Sequence, residues 1–516
     1  MLKDKKDSTE PESGLLVDGQ LCDSGFVPMN MEDDHEPSSP TCDDVLSSDR
    51  NQNAMQDCVG NELRSNICDQ DEKDGDKSVT KDGGILSPTF HLSPKHQNRP
   101  NEISLKRCLS DQDADGKSIL PVLLLPEIFL KICSYLPAKF VLGTLTRVCR
   151  QFHDLLSDDA TWKIRTSKQG VKRYPVVPVE NFNWKKACVM REEQLWLWSN
   201  PDQTMDHFML SDGISAPVDA VHLMSGGSLL ASGSRDKYLN LWDLDKIDVN
   251  EPSSKKDARI VSKMNAHNGW IWSITSHNHI MATASWDTYI KFWDLGAGVT
   301  EIRSVKCKSA VLATKYTKDV LVAGSYDKYI SVIDPRVATI VSRIRHHRMP
   351  VLSIEADDNY IISGSEDKTV CIYDRRAEIL LKTLHFEHFP MCMDYNMNQL
   401  FIGDKIGRLH LVDASDVKFD LIKTYDPGHV GKLTGVLYNY GSIMSCSTDR
   451  TVRIMEPCLN PGNIHTIKSH DAEVAKISWQ NSVLATAGSD MLVGIWRPKS
   501  QHQHHLMFEE MEENDS

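Results

Sequence analysis

The sequence predicts an all-β propeller of seven blades, preceded by a small all-α module and a helical linker. The main observation is a repeat. The segment Ser-Arg-Asp-Lys-Tyr-Leu-Asn-Leu-Trp-Asp at 234–243 recurs with variation about every 40 residues to near the end of the chain. A period of about 40–45 residues closing on Trp-Asp marks one propeller blade, a four-stranded sheet that becomes stable only beside others around a channel. The second observation is an apolar pattern at helical spacing before the first repeat. The third is a sharp change of composition before that.

The chain has 516 residues and a net charge of −14, spread very unevenly. Residues 1–116 carry 25 acidic and 12 basic side chains, and their only aromatics are Phe26 and Phe90. Such a segment has too little apolar surface to offset chain entropy, so 1–117 is expected to be a disordered acidic tail. Ser39-Pro40, Ser87-Pro88 and Ser93-Pro94 lie in it as candidate phosphorylation sites.

The module at 118–165 opens on Leu125-Pro126-Glu127-Ile128. Pro126 suits the first turn of a helix, where its missing N–H costs nothing. Phe129, Ile132, Cys133 and Leu136 follow at helical spacing, and Pro137 stops the helix. A second stretch carries Leu142, Leu145, Val148, Cys149, Phe152, Leu155 and Leu156, and Asp158 or Asp159 caps a third short helix leading to Trp162. About 45 residues cannot bury all these apolar groups internally, which points to an interaction surface. The linker, 166–202, contains a helix from about Asn183 with Trp184, Cys188 and Leu195 on one face.

The propeller occupies 203–498. Its blade-closing pairs fall at Trp242-Asp243, Trp293-Asp294, Ile333-Asp334, Tyr373-Asp374, Val412-Asp413, Met455-Glu456 and Trp496-Arg497. The long first interval holds a polar, Pro-containing surface loop at 247–259. Alternating apolar segments flank a small-residue turn whose Asp (Asp236, Asp287, Asp327, Asp367, Asp449, Asp490) accepts turn amides and is structural. In blade five Ile406 stands at the Asp position, so that blade is expected to rest on packing alone. No outer strand follows Trp496; the strand at 207–210 is expected to complete the last blade and remove the open edge.

The 13 cysteines include no CxxC, no apolar run approaches membrane-spanning length, and no apolar core of a signal peptide follows the N-terminus. These features predict an intracellular, thiol-reduced protein. The acidic balance argues against a nucleic-acid binder. Neither a P-loop, a zinc-ligand spacing nor a nucleophile elbow is present. The tail at 499–516, with His502, His504 and His505, reads as solvated rather than metal-binding. No metal or other cofactor is expected, and no polar cluster in the channel that would make the propeller an enzyme.

The motif Leu-Pro-Glu-Ile-Phe-x-x-Ile-x-x-Tyr-Leu-Pro, followed by Val148-Cys149-Arg150-x-Phe152 and Trp162, resembles an F-box, and the repeats resemble WD40 repeats. The F-box resemblance implies docking on a Skp-type adaptor, and through it on cullin and RING subunits, by Leu125, Pro126, Ile128, Ile132, Tyr135, Leu136, Val148, Cys149 and Phe152. It implies a non-catalytic substrate receptor of a ubiquitin ligase; the alternative is a WD scaffold that binds the adaptor without cullin. In WD-repeat proteins a His, a Ser, the turn Asp and the Trp form a buried network; here His267, Ser285, Asp287 and Trp293 match it, with His429 and His470 in two other blades. Related proteins often grip a phosphorylated substrate with Arg on one propeller face. The residues before each turn Asp include one Arg, Arg235, while blades two to four offer Trp272, Trp286, Leu312, Tyr326 and Leu352. The expected substrate segment is apolar or aromatic, with one polar contact from Arg235 and a further one from His346-His347-Arg348.

Overall fold

The computed structural model describes residues 125–168, 174–249, 254 and 258–499. The expected acidic tail with its Ser-Pro sites, part of the 247–259 loop and the His-rich C-terminal segment lie outside the described residues.

Four short helices open the described chain: α1 Pro126–Cys133, α2 Ala138–Gly143, α3 Arg150–Ser157 and α4 Asp159–Lys168. Their core is Phe129, Cys133, Ala138, Val141, Phe152, Leu156 and Trp162, with Phe129 stacked on Phe152 at 4.1 Å. Helix α5, Trp184–Ser199, is capped by the Asn183 side chain, which accepts the Lys186 N–H at 2.9 Å. Helix α6, Pro201–Thr204, leads into the propeller. Cys188 on α5 joins the helical core, whereas Leu197 and Trp198 enter the core between blades six and seven with Met444, Ile454, Ile477 and Trp496. Ten residues of helix, about 15 Å, therefore connect two cores. Leu195 points to solvent instead of sharing the Cys188 face.

One charge pair locks the helices together. Arg165 on α4 bonds both Glu192 carboxylate oxygens, at 2.8 and 3.0 Å, and the carbonyls of Cys133 and Leu136 at 2.7 and 2.5 Å. Glu192 on α5 also accepts the Ala138 N–H at 2.7 Å, satisfying the start of α2. Beyond the pair, Gln194 bonds Asn439 and Ser442, and the Tyr174 hydroxyl donates to the Tyr440 carbonyl at 2.7 Å. The helical module is thus fastened to the propeller through polar and apolar contacts along one helix.

The propeller is seven four-stranded antiparallel sheets. Strand β1, Met205–Leu210, pairs with β28, Val493–Pro498, from Met205↔Pro498 to Leu210↔Val493, and forms the outer strand of blade seven. Phe208 and Leu210 pack with Val218, Trp242, Val493 and Ile495, so the closing strand also supplies core between blades seven and one. The first strand of each blade faces the axis: β2 Val218–Met224, β6 Ile271–His277, β10 Val311–Tyr316, β14 Val351–Ala356, β18 Pro390–Asn396, β22 Leu433–Tyr438 and β26 Val474–Gln480. Each touches the next around a closed ring. The eight described cysteines form no disulfide, and seven are buried.

The residue after each turn Asp is left-handed: Lys237, Thr288, Lys328, Lys368, Arg450 and Met491 have φ of 65 to 75°. The strain is offset locally, because the Asp carboxylate accepts the next N–H, as Asp287 does from Tyr289 at 2.9 Å. In blade five the left-handed residue is Gly407, where a side chain would also meet the His429 and Gly431 carbonyls.

Candidate functional site

Two surfaces carry the functional expectations, and each is built by local backbone rules. On the helical module Leu125 (63% exposed), Pro126, Ile128, Ile132, Tyr135 (76%) and Val148 are open to solvent. Their neighbours at helical spacing, Phe129 and Cys133, face inward. Leu136 and Cys149 are half-buried against the core. Phe152 does not belong to the surface: its ring lies under Phe129, so it supports the strip rather than joining it. Phe140, absent from the sequence expectation, is exposed on α2.

The second surface is the propeller face holding the turn Asp residues. Two rules shape it. First, the N–H of the residue before the turn Asp bonds the carbonyl just ahead of the first strand in every blade: Arg235 to Pro217, Trp286 to Trp270, Tyr326 to Ala310, Glu366 to Pro350, Lys405 to Phe389, Thr448 to Lys432 and Ser489 to Glu473. Second, every first strand carries a bulge at its second residue, as between Ile271 and Ser273 or Val311 and Ala313. A bulge re-aims one side chain, and in blade two that residue is Trp272. The bulge of blade five falls on Met391, so Cys392, which aligns there by simple alternation, is instead buried.

Blades two and three gather an aromatic cluster, which Arg235 of blade one adjoins. The Trp270–Trp272, Trp270–Trp286 and Trp272–Trp286 centroids are 6.2, 6.3 and 6.3 Å apart, and Tyr326 meets Trp286 at 5.8 Å. Trp270 is 41% exposed and Trp286 37%. Trp270 was not singled out from the sequence; it precedes the first strand of blade two, and the bulge at Trp272 brings the two rings together. Leu312 is buried and Leu352 partly so, which leaves them little contact surface.

Arg235 is not a bare cation. Its guanidinium bonds both oxygens of the buried Asp219, at 2.9 and 3.1 Å, and lies 4.9 Å from the Trp270 ring centre and 5.8 Å from that of Trp272. Burial raises the Asp219 carboxyl, and Arg235 opposes that rise. The pairing corrects the expectation that Arg235 offers a ready polar contact. His347 is likewise withdrawn: it is buried between Asp367 at 3.1 Å and Ser363 at 2.8 Å.

His347 therefore joins the structural networks beside His429–Asp449–Ser445 and His470–Asp490–Thr486. In blade two the hydroxyl between His267 and Trp293 belongs to Thr283, at 2.7 and 2.9 Å, and not to Ser285, which accepts the Asp287 N–H. Burial by itself raises the Asp287 carboxyl, but the His267 hydrogen bond and charge outweigh it and bring it to about 2. Blades one and three lack the His: Asp236 accepts Ser215 and Tyr238 amides, and Asp327 pairs with Arg343 at 2.7 Å. Blade five is not held by packing alone. Asp404, two residues before Ile406, accepts the Ile406 and Arg408 N–H groups and meets His410 at 3.3 Å.

The channel is more polar than the sequence expectation. The fifth residue of the first strand is His222, Lys315, Glu355, Asp394 and Ser478 in five blades. Lys315 meets Glu355 at 2.6 Å, and Asp394 accepts the Tyr438 N–H at 2.6 Å. Burial and the neighbouring Glu355 raise the Asp394 carboxyl to about 7, while burial lowers His222 to about 4. Among the described residues no three His, Cys, Asp or Glu side chains form a metal site, and no helix is long and apolar enough to cross a membrane.

A helical docking module ahead of a seven-bladed propeller defines the F-box/WD-repeat class. The F-box-like family model matches residues 125–166, and the WD domain, G-beta repeat model matches 209–243, 258–294 and 338–374. F-box/WD repeat-containing protein 9 of Homo sapiens is 38% identical over 373 residues, 72% of this chain and 81% of that protein. The Bos taurus protein of that name is 38% identical over 374 residues with the same coverage. F-box/WD repeat-containing protein mec-15 of Caenorhabditis elegans is 28% identical over 197 residues, 36% of this chain and 47% of that protein. The chain belongs to the F-box/WD repeat-containing protein 9 family.

Proposed function

We propose that this protein is the substrate-recognition subunit of a Skp–cullin–F-box ubiquitin ligase. The observation that carries the reading is the apolar strip Leu125, Ile128, Ile132, Tyr135 and Val148, left open on a module whose core is Phe129, Cys133, Val141, Phe152, Leu156 and Trp162. Exposed clusters of this kind mark interaction surfaces. Pro126 and the strip dock a Skp-type adaptor, and cullin and RING subunits follow through it.

The protein itself makes no bond. Its contribution is geometric. Helix α5 is anchored in both cores and clamped by Arg165–Glu192, so a substrate held on the propeller keeps a fixed distance from the adaptor. Holding an acceptor lysine near the charged enzyme converts transfer into an effectively intramolecular step. The substrate binds the aromatic face of blades one to three.

The test is a lifetime comparison in cells. Proteins recovered with the wild-type chain and lost from a Trp286→Ala variant are expected to live longer when the chain carries Leu125→Ala/Pro126→Ala. Unchanged lifetimes for all of them, with adaptor missing from that variant, would overturn the ligase role. They would favour a scaffold.

A further inference from the structure

The aromatic face constrains the chemistry of what it binds, and the inference rests on the reading that this face receives the substrate. Three groups of observations converge there.

Arg235 lies among the aromatics with its Nε–Nη2 edge engaged by Asp219, a carboxylate almost wholly buried. A phosphate seeking that two-pronged edge would have to displace the carboxylate and leave it buried without its partner, which is costly, and the charge of this Arg is already balanced by Asp219. None of the other residues before the turn Asp or at the seven bulges is an Arg. The face therefore lacks the cluster of open guanidinium groups that holds a phosphorylated peptide.

The rings themselves are available. Trp270 and Trp286 expose large apolar surface, and Trp272 and Tyr326 complete the floor. The indole N–H of Trp272 is buried and has no acceptor. Trp198, Trp242 and Trp496 bury theirs without a partner as well, so recognition on this face rests on the ring surfaces. The Arg235 guanidinium already covers the Trp270 and Trp272 faces, so a second cation is disfavoured there.

The flank beside the rings is basic. Lys308 precedes the first strand of blade three, and Arg345 and Arg348 precede that of blade four; all three are exposed. The nearby turn carboxylates are spent within the fold, Asp287 on His267, Asp327 on Arg343 and Asp367 on His347. Glu366, at the pre-Asp position of blade four, bounds the positive stretch.

We propose that this face recognises an unphosphorylated, acidic peptide segment of a partner protein. An aromatic or long aliphatic anchor seats on Trp270, Trp272, Trp286 and Tyr326. Flanking Asp or Glu residues meet Lys308, Arg345 and Arg348. The opposite charges also raise the association rate and make it salt-dependent.

The probe is a displayed library of short random peptides without phosphate, selected on the full chain. Enriched peptides are then measured by fluorescence anisotropy. The expected pool pairs one aromatic or long aliphatic residue with two or more carboxylates. Binding is expected to weaken by about tenfold or more with Trp286→Ala, as for a central interface anchor. Lys308→Glu/Arg348→Glu is expected to weaken it by roughly threefold to tenfold at low salt and less at high salt. Both substitutions are at exposed side chains, and an unchanged thermal midpoint verifies the fold. Three results would overturn the proposal: enrichment only from a phosphoserine-containing library, a pool without carboxylates, or equal binding to wild type and both variants. Peptides tiling residues 1–116 are tested in parallel; if they outbind the selected pool, the occupant is the chain's own acidic segment and the partner assignment fails. Peptide binding with no adaptor on the wild-type chain would leave this inference intact and remove the ligase reading. Adaptor and cullin without any such peptide would do the reverse.

Discussion

Removing the Arg165 guanidinium tests how the helical module is held. Arg165→Met keeps most of the apolar stem and deletes four charge-assisted bonds, to Glu192 and to the Cys133 and Leu136 carbonyls. Breaking a fully buried pair costs about 3–5 kcal/mol, largely through the charge left behind. Here the Arg165 side chain is 10% exposed but Glu192 is 23% exposed, and Glu192 keeps the Ala138 N–H. The expected loss is therefore about 2–4 kcal/mol, confined to opening of the helical module. Hydrogen exchange on the full chain reads this directly. Amides of α1 and α2 should exchange about 30- to 1,000-fold faster, while the propeller strands stay unchanged. Arg165→Lys should recover less than half of the protection, because a point charge cannot reach the carboxylate and both carbonyls together. Exchange in α1 and α2 within about threefold of wild type, or an equal acceleration in the propeller, would refute the reasoning.

Three further outcomes follow from the propeller. Thr283→Val leaves the Trp293 N–H and the His267 ring nitrogen unmatched and should cost about 2–4 kcal/mol in denaturant unfolding, against about 1 kcal/mol for Ser285→Ala; equal costs would return the network role to Ser285. Phe208→Ala in the closing strand should cost about 3–5 kcal/mol, since the ring lies in the core between blades seven and one; a thermal midpoint within a degree or so of wild type would contradict that role. Asp394 has a raised carboxyl in the folded state, so the fold binds its proton more tightly than the unfolded chain and stability declines as pH climbs from about 4 through about 7. Asp394→Asn, which can still accept the Tyr438 N–H, should flatten that slope in thermal melts across the range; an unchanged slope would place the titration elsewhere.

The architecture was readable because the blades share three signals: alternation in all seven, a turn Asp in six, and a closing Trp or Tyr in four. Even the exchange of the outer strand of blade seven could be seen in the chain, as a strand missing after Trp496 and a spare one at 207–210. Alternation was also the source of the errors. Thr283 and Ser285 lie two apart on one strand face, so pattern alone does not decide which hydroxyl reaches Trp293. In blade five the carboxylate moved to Asp404, the Ser position of the other blades, and a search confined to Ile406 overlooked it. The bulge adds a residue to each first strand, so simple alternation does not show that Met391 is re-aimed and Cys392 buried in blade five. On the helical module the F-box resemblance implied Phe152 beside Val148 on the docking surface, whereas the Phe129 stack turns it inward. The Asp219–Arg235 pair and the Lys315–Glu355 pair join different strands, the second from neighbouring blades, and needed the three-dimensional arrangement.

The most direct measurement is the amount of Skp-type adaptor and cullin recovered with the full chain from cells, for wild type, Leu125→Ala/Pro126→Ala and Trp286→Ala. The account predicts both partners on wild type and on Trp286→Ala, and neither on the double variant. Adaptor without cullin on wild type, or equal recovery from all three, would contradict it.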